Sequence, residues 1–209
     1  LRPSVQYPHN ATKWYAHEGD GRAERNDRPT GLAVIFATDV HYTATRAIAA
    51  GVAFEDWSAA QPTNAFVSTL DGARAYRSGN FYERELPCLL HLLRESGVRP
   101  RIILIDGYVY LDGHSLPGLG WHLFNALEGR TKVVGVAKTP FIGIGEEFHV
   151  FRGASSRPLY VTCVGEDLAI AKAGVRAMSG RHRIPSILKR VDQICRGEAK
   201  PSAVAALHG

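Results

Sequence analysis

Cysteine is scarce in this chain. Three occur in 209 residues, Cys88, Cys163 and Cys195, with no Cys-x-x-Cys pair. An odd count closes no disulfide framework. Each lies among apolar neighbours and is expected as a buried, reduced thiol, which suits a cytoplasmic protein. The nine histidines form no His-x-x-x-His pair and no Cys/His zinc spacing. No apolar run approaches the roughly 18 residues of a transmembrane helix, and no signal-peptide pattern is visible, so no membrane partner is expected. Internal repeats are absent. Nucleotide loops are lacking too. Asp112-Gly113 and Gly118-Leu119-Gly120 miss the strand–loop–helix context of a dinucleotide fingerprint, and Gly143-Ile144-Gly145 has no P-loop lysine. Acidic residues are outnumbered, 20 against 25 Lys and Arg, which gives a net charge of +5 and a pI near 9.2. That excess favours polyanionic partners through phosphate neutralisation and counterion release.

What remains is ordinary globular material, 45% hydrophobic and 22% charged. The length fits one α/β domain able to bury its own core. Residues 1–30 are polar and rich in turn formers, as in Gly19-Asp20-Gly21, and are expected to form a loosely ordered arm. Residues 31–196 carry the domain, and 197–209, rich in Ala, Gly and Pro, form a flexible tail. Leu32–Thr38 is almost wholly apolar and predicts a buried central strand ending at Asp39. Residues 42–54 and 63–70 read as two further strands. A helix is expected over 84–96, with Pro87 in its first turn, Leu86, Leu89, Leu90 and Leu93 at helical spacing, and Gly97 as its stop. Arg101–Ile105 predicts a second buried strand ending at Asp106-Gly107. Further strands are expected at 132–137, 147–152 and 159–164, and helices at 118–127, 166–178 and 185–194. Three strands followed by alternating helices and strands indicate an α/β mixed sheet with helices on its faces.

Four carboxylates draw attention. Asp39 and Asp106 each follow a buried strand, at the carboxyl end where ligands of open α/β sheets gather. Such an acid can bind a hard cation, or simply turn the chain. Asp192 lies on the last helix between Leu188 and Cys195, along the edge of the apolar stripe. A carboxylate there needs a cation, whether a salt-bridge partner or a metal. Glu85 shares a helical face with Leu89 and Leu92, where it is a metal-site acid or a favourable acid at a helix N-terminus. Their order, on a first strand, a first helix, a central strand and a final helix, is the acid layout of the ribonuclease H-like fold, in which such residues hold two divalent metals.

The residues around these acids resemble the endonuclease V family. Thr38-Asp39-Val40-His41-Tyr42 resembles its first-strand motif, Arg84-Glu85-Leu86-Pro87 its Arg-Glu-x-Pro motif, and Ile105-Asp106-Gly107 its central Asp-Gly. Gly135-Val136-Ala137-Lys138 is similar to its Gly-Val-Ala-Lys strand, and Arg183-Ile184-Pro185 resembles the Arg-Leu-Pro that opens its last helix. The resemblance implies a ribonuclease H-like fold with helices on both faces of a mixed sheet. It implies a Mg²⁺-dependent endonuclease, Mn²⁺ able to substitute, with Asp39, Glu85, Asp106 and Asp192 as metal ligands. Lys138 is implied at the scissile phosphate, which suits a compact cation. Tyr76 begins the family's strand-separating loop and is implied, with Gly79, in nucleic-acid contact. The implied reaction is hydrolysis of a phosphodiester 3′ to a deaminated base, hypoxanthine, in DNA, a repair role for a monomer. Inosine-containing RNA is the alternative substrate, and a non-catalytic nucleic-acid-binding protein, or another nuclease on the same fold, the alternative readings.

The chain also departs from the family. Ala75-Tyr76-Arg77-Ser78-Gly79 lacks both prolines of the usual Pro-Tyr-x-Pro-Gly loop. Leu111-Asp112-Gly113-His114-Ser115 replaces a His-Pro-Arg run, which leaves Asp112 as a fifth metal-site acid or the start of a turn. His122 and His182 are expected to be structural. Arg181, Arg183, Lys189 and Arg190 form a basic face that either holds phosphates or is solvated charge.

Overall fold

The computed structural model describes residues 34–71 and 81–201. The expected N-terminal arm, Tyr76, Gly79 and most of the C-terminal tail lie outside these residues. In chain order the elements are β1 (Ile35–Tyr42), β2 (Arg46–Phe54), β3 (Asn64–Asp71), α1 (Phe81–Ser96), β4 (Ile102–Ile105), α2 (Leu119–Ala126), β5 (Lys132–Ala137), β6 (His149–Val150), β7 (Leu159–Val164), α3 (Leu168–Ala177) and α4 (Ser186–Cys195). A 3-10 turn, Glu146–Phe148, precedes β6.

The strands form one mixed seven-stranded sheet in the order β3-β2-β1-β4-β5-β7-β6. β1, β2 and β3 make an antiparallel meander. β4 runs parallel to both β1 and β5, and β7 returns antiparallel between β5 and β6. The alternation of side chains along each strand divides the core in two. Ile35, Ala37, Val52, Leu104, Val134 and Val161 pack under α3 and α4, with Val175, Ile187, Val191 and Ile194. Phe36, Ala49, Ile103, Ile105 and Val133 pack under α1 and α2, with Leu89, Leu92, Leu119 and Leu123. This is the ribonuclease H-like architecture, an open mixed sheet covered on both faces.

Several expectations need correction. β1 does not stop at Asp39. Its antiparallel pairing with β2 carries it on to Tyr42, opposite Ala47. The parallel pairing with β4, however, ends at Thr38 opposite Ile105, so Asp39 and Asp106 each stand one residue past that last pair. Helix α1 starts at Phe81, so Pro87 lies inside it rather than in its first turn, at the loss of one helical hydrogen bond. Glu85 is therefore no N-terminal acid but a buried side chain, 7% exposed. The strand expected at 147–152 contracts to two residues behind the 3-10 turn.

Gly135 shows why small residues belong beside the strand ends. A Cβ there would stand 2.5 Å from the Gly107 carbonyl oxygen and 2.9 Å from the Val109 nitrogen. The absent side chain lets the loop after Asp106 fold back onto β5, where the Val109 amide donates to Thr162 Oγ1 at 2.8 Å.

Candidate active site

Five elements meet where β1 and β4 part. β1 supplies Asp39, the end of β4 supplies Asp106, and the residue after β5 is Lys138. These three border a small cleft, closed on another side by Leu188 and Val191 of α4. α1 and α4 lie on opposite faces of the sheet and bring Glu85 and Asp192 to this point. Glu85 lies within electrostatic reach of Asp39 and Asp106. Asp192 has an oxygen within 4.8 Å of one from Asp39. All four acids singled out in the sequence thus converge, together with the lysine.

The hydrogen bonds fix who faces whom. Lys138 Nζ donates to Asp106 Oδ2 at 2.6 Å. Asp39 Oδ1 accepts from the Val40 amide at 2.8 Å. Asp192 Oδ1 accepts from Arg196 Nε at 2.9 Å, a partner one helical turn on. Thr38 Oγ1 donates to the Leu104 carbonyl at 3.1 Å and ties β1 to β4 just short of the acids.

So many carboxylates beside one lysine cannot all ionise freely. Burial, then the neighbouring Asp106 charge, pushes the Asp39 carboxyl up to about 7, against the pull of Lys138 and the Val40 amide. Burial, then Asp39 and Asp106, pushes Glu85 up to about 9. Burial works against ionisation of Asp192 too, but the Arg196 hydrogen bond and the Lys138 charge hold it below its ordinary value. Asp39 is therefore the partner that keeps a proton in the Asp39–Asp192 pair. Burial disfavours the Lys138 ammonium, yet Asp106, Asp39 and Asp192 hold its pKa above the ordinary value.

This imbalance gives a measurable pH dependence. Asp39 and Glu85 have folded-state pKa values above those of the unfolded chain, so between the two values the folded state binds more protons. Their favourable contribution is whole below the ordinary carboxylate range and is lost as pH rises through about 7 and then about 9. The melting temperature of the metal-free protein should fall between about pH 5 and pH 8, and saturating Mg²⁺ or Mn²⁺ should remove most of that fall. A flat metal-free profile would show that the acids are not crowded as described.

Other residues resolve differently. Asp112 starts a turn, its Oδ1 accepting from the amides of His114, Ser115 and Leu116 at 2.8–3.0 Å. Those hydrogen bonds, that of Leu116 foremost, hold its carboxyl well below the usual range. His122 is 5% exposed and stacks on Tyr82 with centroids 3.6 Å apart, so it is structural. His182 offers its backbone carbonyl to Arg152. Arg183 does not belong to an open phosphate-binding face. It donates to the carbonyls of Lys138 and Pro158 and so braces the backbone of the site lysine. Arg190 donates to the Lys200 carbonyl at 2.8 Å.

Two residues were not singled out from sequence. Cys195, one helical turn past Asp192, brings its Sγ within 4.8 Å of Asp39 and Asp192 oxygens. Its only signal in the sequence was its place on the same helical face, which equally marks a core residue. Arg152 is buried with its guanidinium directed at the segment joining α3 to α4, and nothing local in the sequence announces it. Among the described residues, no helix is long and apolar enough to cross a membrane.

Comparison with known proteins follows the same lines. The family model described as Endonuclease V matches residues 20–165, a span that contains Asp39, Glu85, Asp106 and Lys138 and stops short of Asp192. No curated protein matches significantly. Among solved structures, endonuclease V from Streptomyces avermitilis is 27% identical, with a TM-score of 0.64, over 80% of this chain and 81% of that one. Human ENDOV is 24% identical, with a TM-score of 0.60, over 90% of this chain and 94% of that chain. Endonuclease V from Ciona intestinalis, solved with a 24mer DNA containing an inosine followed by a ribo-adenosine, is 19% identical, with a TM-score of 0.64, over 79% and 85%.

Proposed function

The chain belongs to the endonuclease V family, and from that premise we propose that it is a Mg²⁺-dependent endonuclease hydrolysing a phosphodiester 3′ to hypoxanthine in DNA, in a repair role. The observation that carries this reading is the convergence of Asp39, Glu85, Asp106 and Asp192 where the central strands β1 and β4 part, with Lys138 among them.

The donor set fits a hard divalent ion. Carboxylate oxygens are the ligands such ions take, and the crowding that holds protons on Asp39 and Glu85 is an excess of negative charge that a cation relieves. Asp39 and Asp106 would hold the ion, with Glu85 and Asp192 completing the site. When bound, it supplies Lewis-acid stabilisation of the phosphoryl oxygens and activation of the attacking water. Lys138 Nζ, now on Asp106, lies where it can turn to a phosphate oxygen and offset charge developing there. Arg183 keeps the Lys138 backbone fixed while it does so. Water adds to phosphorus, the 3′ oxygen leaves and takes up a proton, and the products are a 5′-phosphate and a 3′-hydroxyl. The substrate base is extruded, with Tyr76 and Gly79 as its proposed contacts.

Inosine-containing RNA is the second substrate class. The Ciona protein's DNA carried a ribo-adenosine after the inosine, so strands with a ribonucleotide at that position belong in the same test. Labelled DNA and RNA strands carrying inosine, uracil, an abasic site, a mismatch or a branch would be incubated with Mg²⁺ or Mn²⁺, with and without chelator. The expected result is a cut one nucleotide beyond inosine on its 3′ side, abolished by chelator. Cleavage confined to branched junctions would overturn the assignment to deaminated bases. Binding without any cleavage would favour a non-catalytic role.

A further inference from the structure

Cys195 lies on α4 beside the Asp39 and Asp192 carboxylates. Its Sγ, an oxygen of Asp39 and an oxygen of Asp192 all lie within 4.8 Å of one another. The thiol is 1% exposed, donates to the Asp192 carbonyl at 3.1 Å, and is a hydrogen-bond neighbour of the Asp39 carboxyl. Ile187, Val191 and Ile194 on the same helix are buried in the apolar core with Cys195. Cys195 adds to that stripe a sulfur placed against the Asp39 and Asp192 carboxylates.

A set of two carboxylates and one sulfur differs in kind from an all-oxygen set. Mg²⁺ takes hard oxygen ligands in near-octahedral geometry and has no use for a thiolate. Zn²⁺ and ions of similar softness accept carboxylate and thiolate together, and three protein ligands suffice for a tetrahedral ion with one open position. We propose that Asp39, Asp192 and Cys195 form a thiophilic divalent-ion site that takes Zn²⁺ or Cd²⁺ and overlaps the hard-ion site of the nuclease. The two ion classes then compete for Asp39 and Asp192, and a soft ion leaves the enzyme loaded but unproductive. This rests on the carboxylate-site reading given above. Binding breaks the S–H bond and forms a sulfur–metal bond. The thiol proton passes to solvent, no electron moves, and no oxidant is needed. Arg196 occupies Oδ1 of Asp192, and that carboxylate has a second oxygen for the ion.

The test uses the full chain, reduced and metal-free, titrated with CdCl₂ while the sulfur-to-cadmium charge-transfer absorption is followed in the near ultraviolet. Absorption saturating at about one equivalent is expected. Cys195→Ser should abolish it, and Cys195→Ala serves the same purpose if circular dichroism shows the serine variant unfolded. Asp39→Asn, which leaves every thiol in place, should weaken Cd²⁺ binding at least about tenfold, an effect that a lone thiol would not show. Competition with Mg²⁺ completes the set. The ratio of Cd²⁺ to Mg²⁺ affinity should fall at least about tenfold in the Cys195 variants. Absorption that survives loss of Cys195 overturns the proposal, because Cys88 or Cys163 is then the ligand. A wild-type protein that cleaves inosine strands with Mg²⁺ but shows no cadmium–sulfur absorption overturns this proposal and leaves the nuclease reading intact. A protein that neither binds any divalent ion nor cleaves removes both.

Discussion

Asp39→Asn should lower inosine-dependent cleavage by on the order of 10³-fold and at the same time raise the melting temperature of the metal-free protein. The two signs have one cause. Burial first, and then the Asp106 charge, pushes the Asp39 carboxyl up to about 7, so near neutral pH the folded state bears the cost of a buried carboxylate set among other acids. An amide of the same shape removes that cost and with it a ligand for the cation. A gain of about 1 kcal/mol would raise the melting temperature by about 2–4 °C in a chain of this size. Lys138→Met supplies the contrast. It should also impair cleavage, but it strips Asp106 of its 2.6 Å ion pair and so lowers stability. Activity assays with Mg²⁺, paired with thermal melts in chelator, read both quantities. If Asp39→Asn destabilises the metal-free protein as Lys138→Met does, the acids are not in mutual repulsion and the cation-site reading loses its electrostatic basis.

How far the sequence revealed this site depends on whether a feature is local. β5 and β7 have the limits expected from their apolar runs, because a strand buried on both faces announces itself by composition. Asp39 and Asp106 were visible because each interrupts such a run. Where the strand ends was not visible, since the extension of β1 to Tyr42 depends on β2 pairing alongside it, and pairing is a tertiary fact. Pro87 misled for a related reason. Proline is most comfortable in a first turn, but the packing of α1 on the sheet carries the helix back to Phe81 and tolerates the lost bond. The role of Arg183 was the least legible. Among Arg181, Lys189 and Arg190 it read as one more surface cation, and only the fold brings it to carbonyls 25 and 45 residues away in the chain.

Arg152 is the far end of the same dependence, and its replacement should have the largest effect on stability. The residue is 6% exposed, and burial lowers its pKa. Every hydrogen bond its guanidinium makes here goes to a backbone carbonyl. Nε donates to Arg176 at 3.4 Å, Nη1 to His182 and Arg183 at 3.0 and 3.3 Å, and Nη2 to Gly180 at 3.1 Å and to Met178. Arg176 and Met178 belong to the C-terminal end of α3, where exposed carbonyls carry the negative pole of the helix and favour a cation. Gly153, with φ +58°, lets the chain beside Arg152 approach, since a Cβ there would stand 2.3 Å from the Arg181 carbonyl oxygen. One buried fork thus holds together the turn between α3 and α4. Removing it strands the buried Met178 carbonyl and takes a partner from four half-buried ones, a change on the order of 3 kcal/mol. Arg152→Leu should therefore lower the melting temperature by roughly 10 °C. Arg152→Lys should fail to restore it, because an ammonium has three donors and no planar fork. The turn also carries Arg183 to the Lys138 carbonyl and leads into the helix that bears Asp192 and Cys195. In whatever fraction of either variant stays folded, affinity for the divalent ion should fall along with stability, measurable by calorimetric titration below the melting transition. A variant that unfolds easily yet binds the ion as tightly as wild type would show that the turn supports the fold alone and that α4 holds its ligands without it.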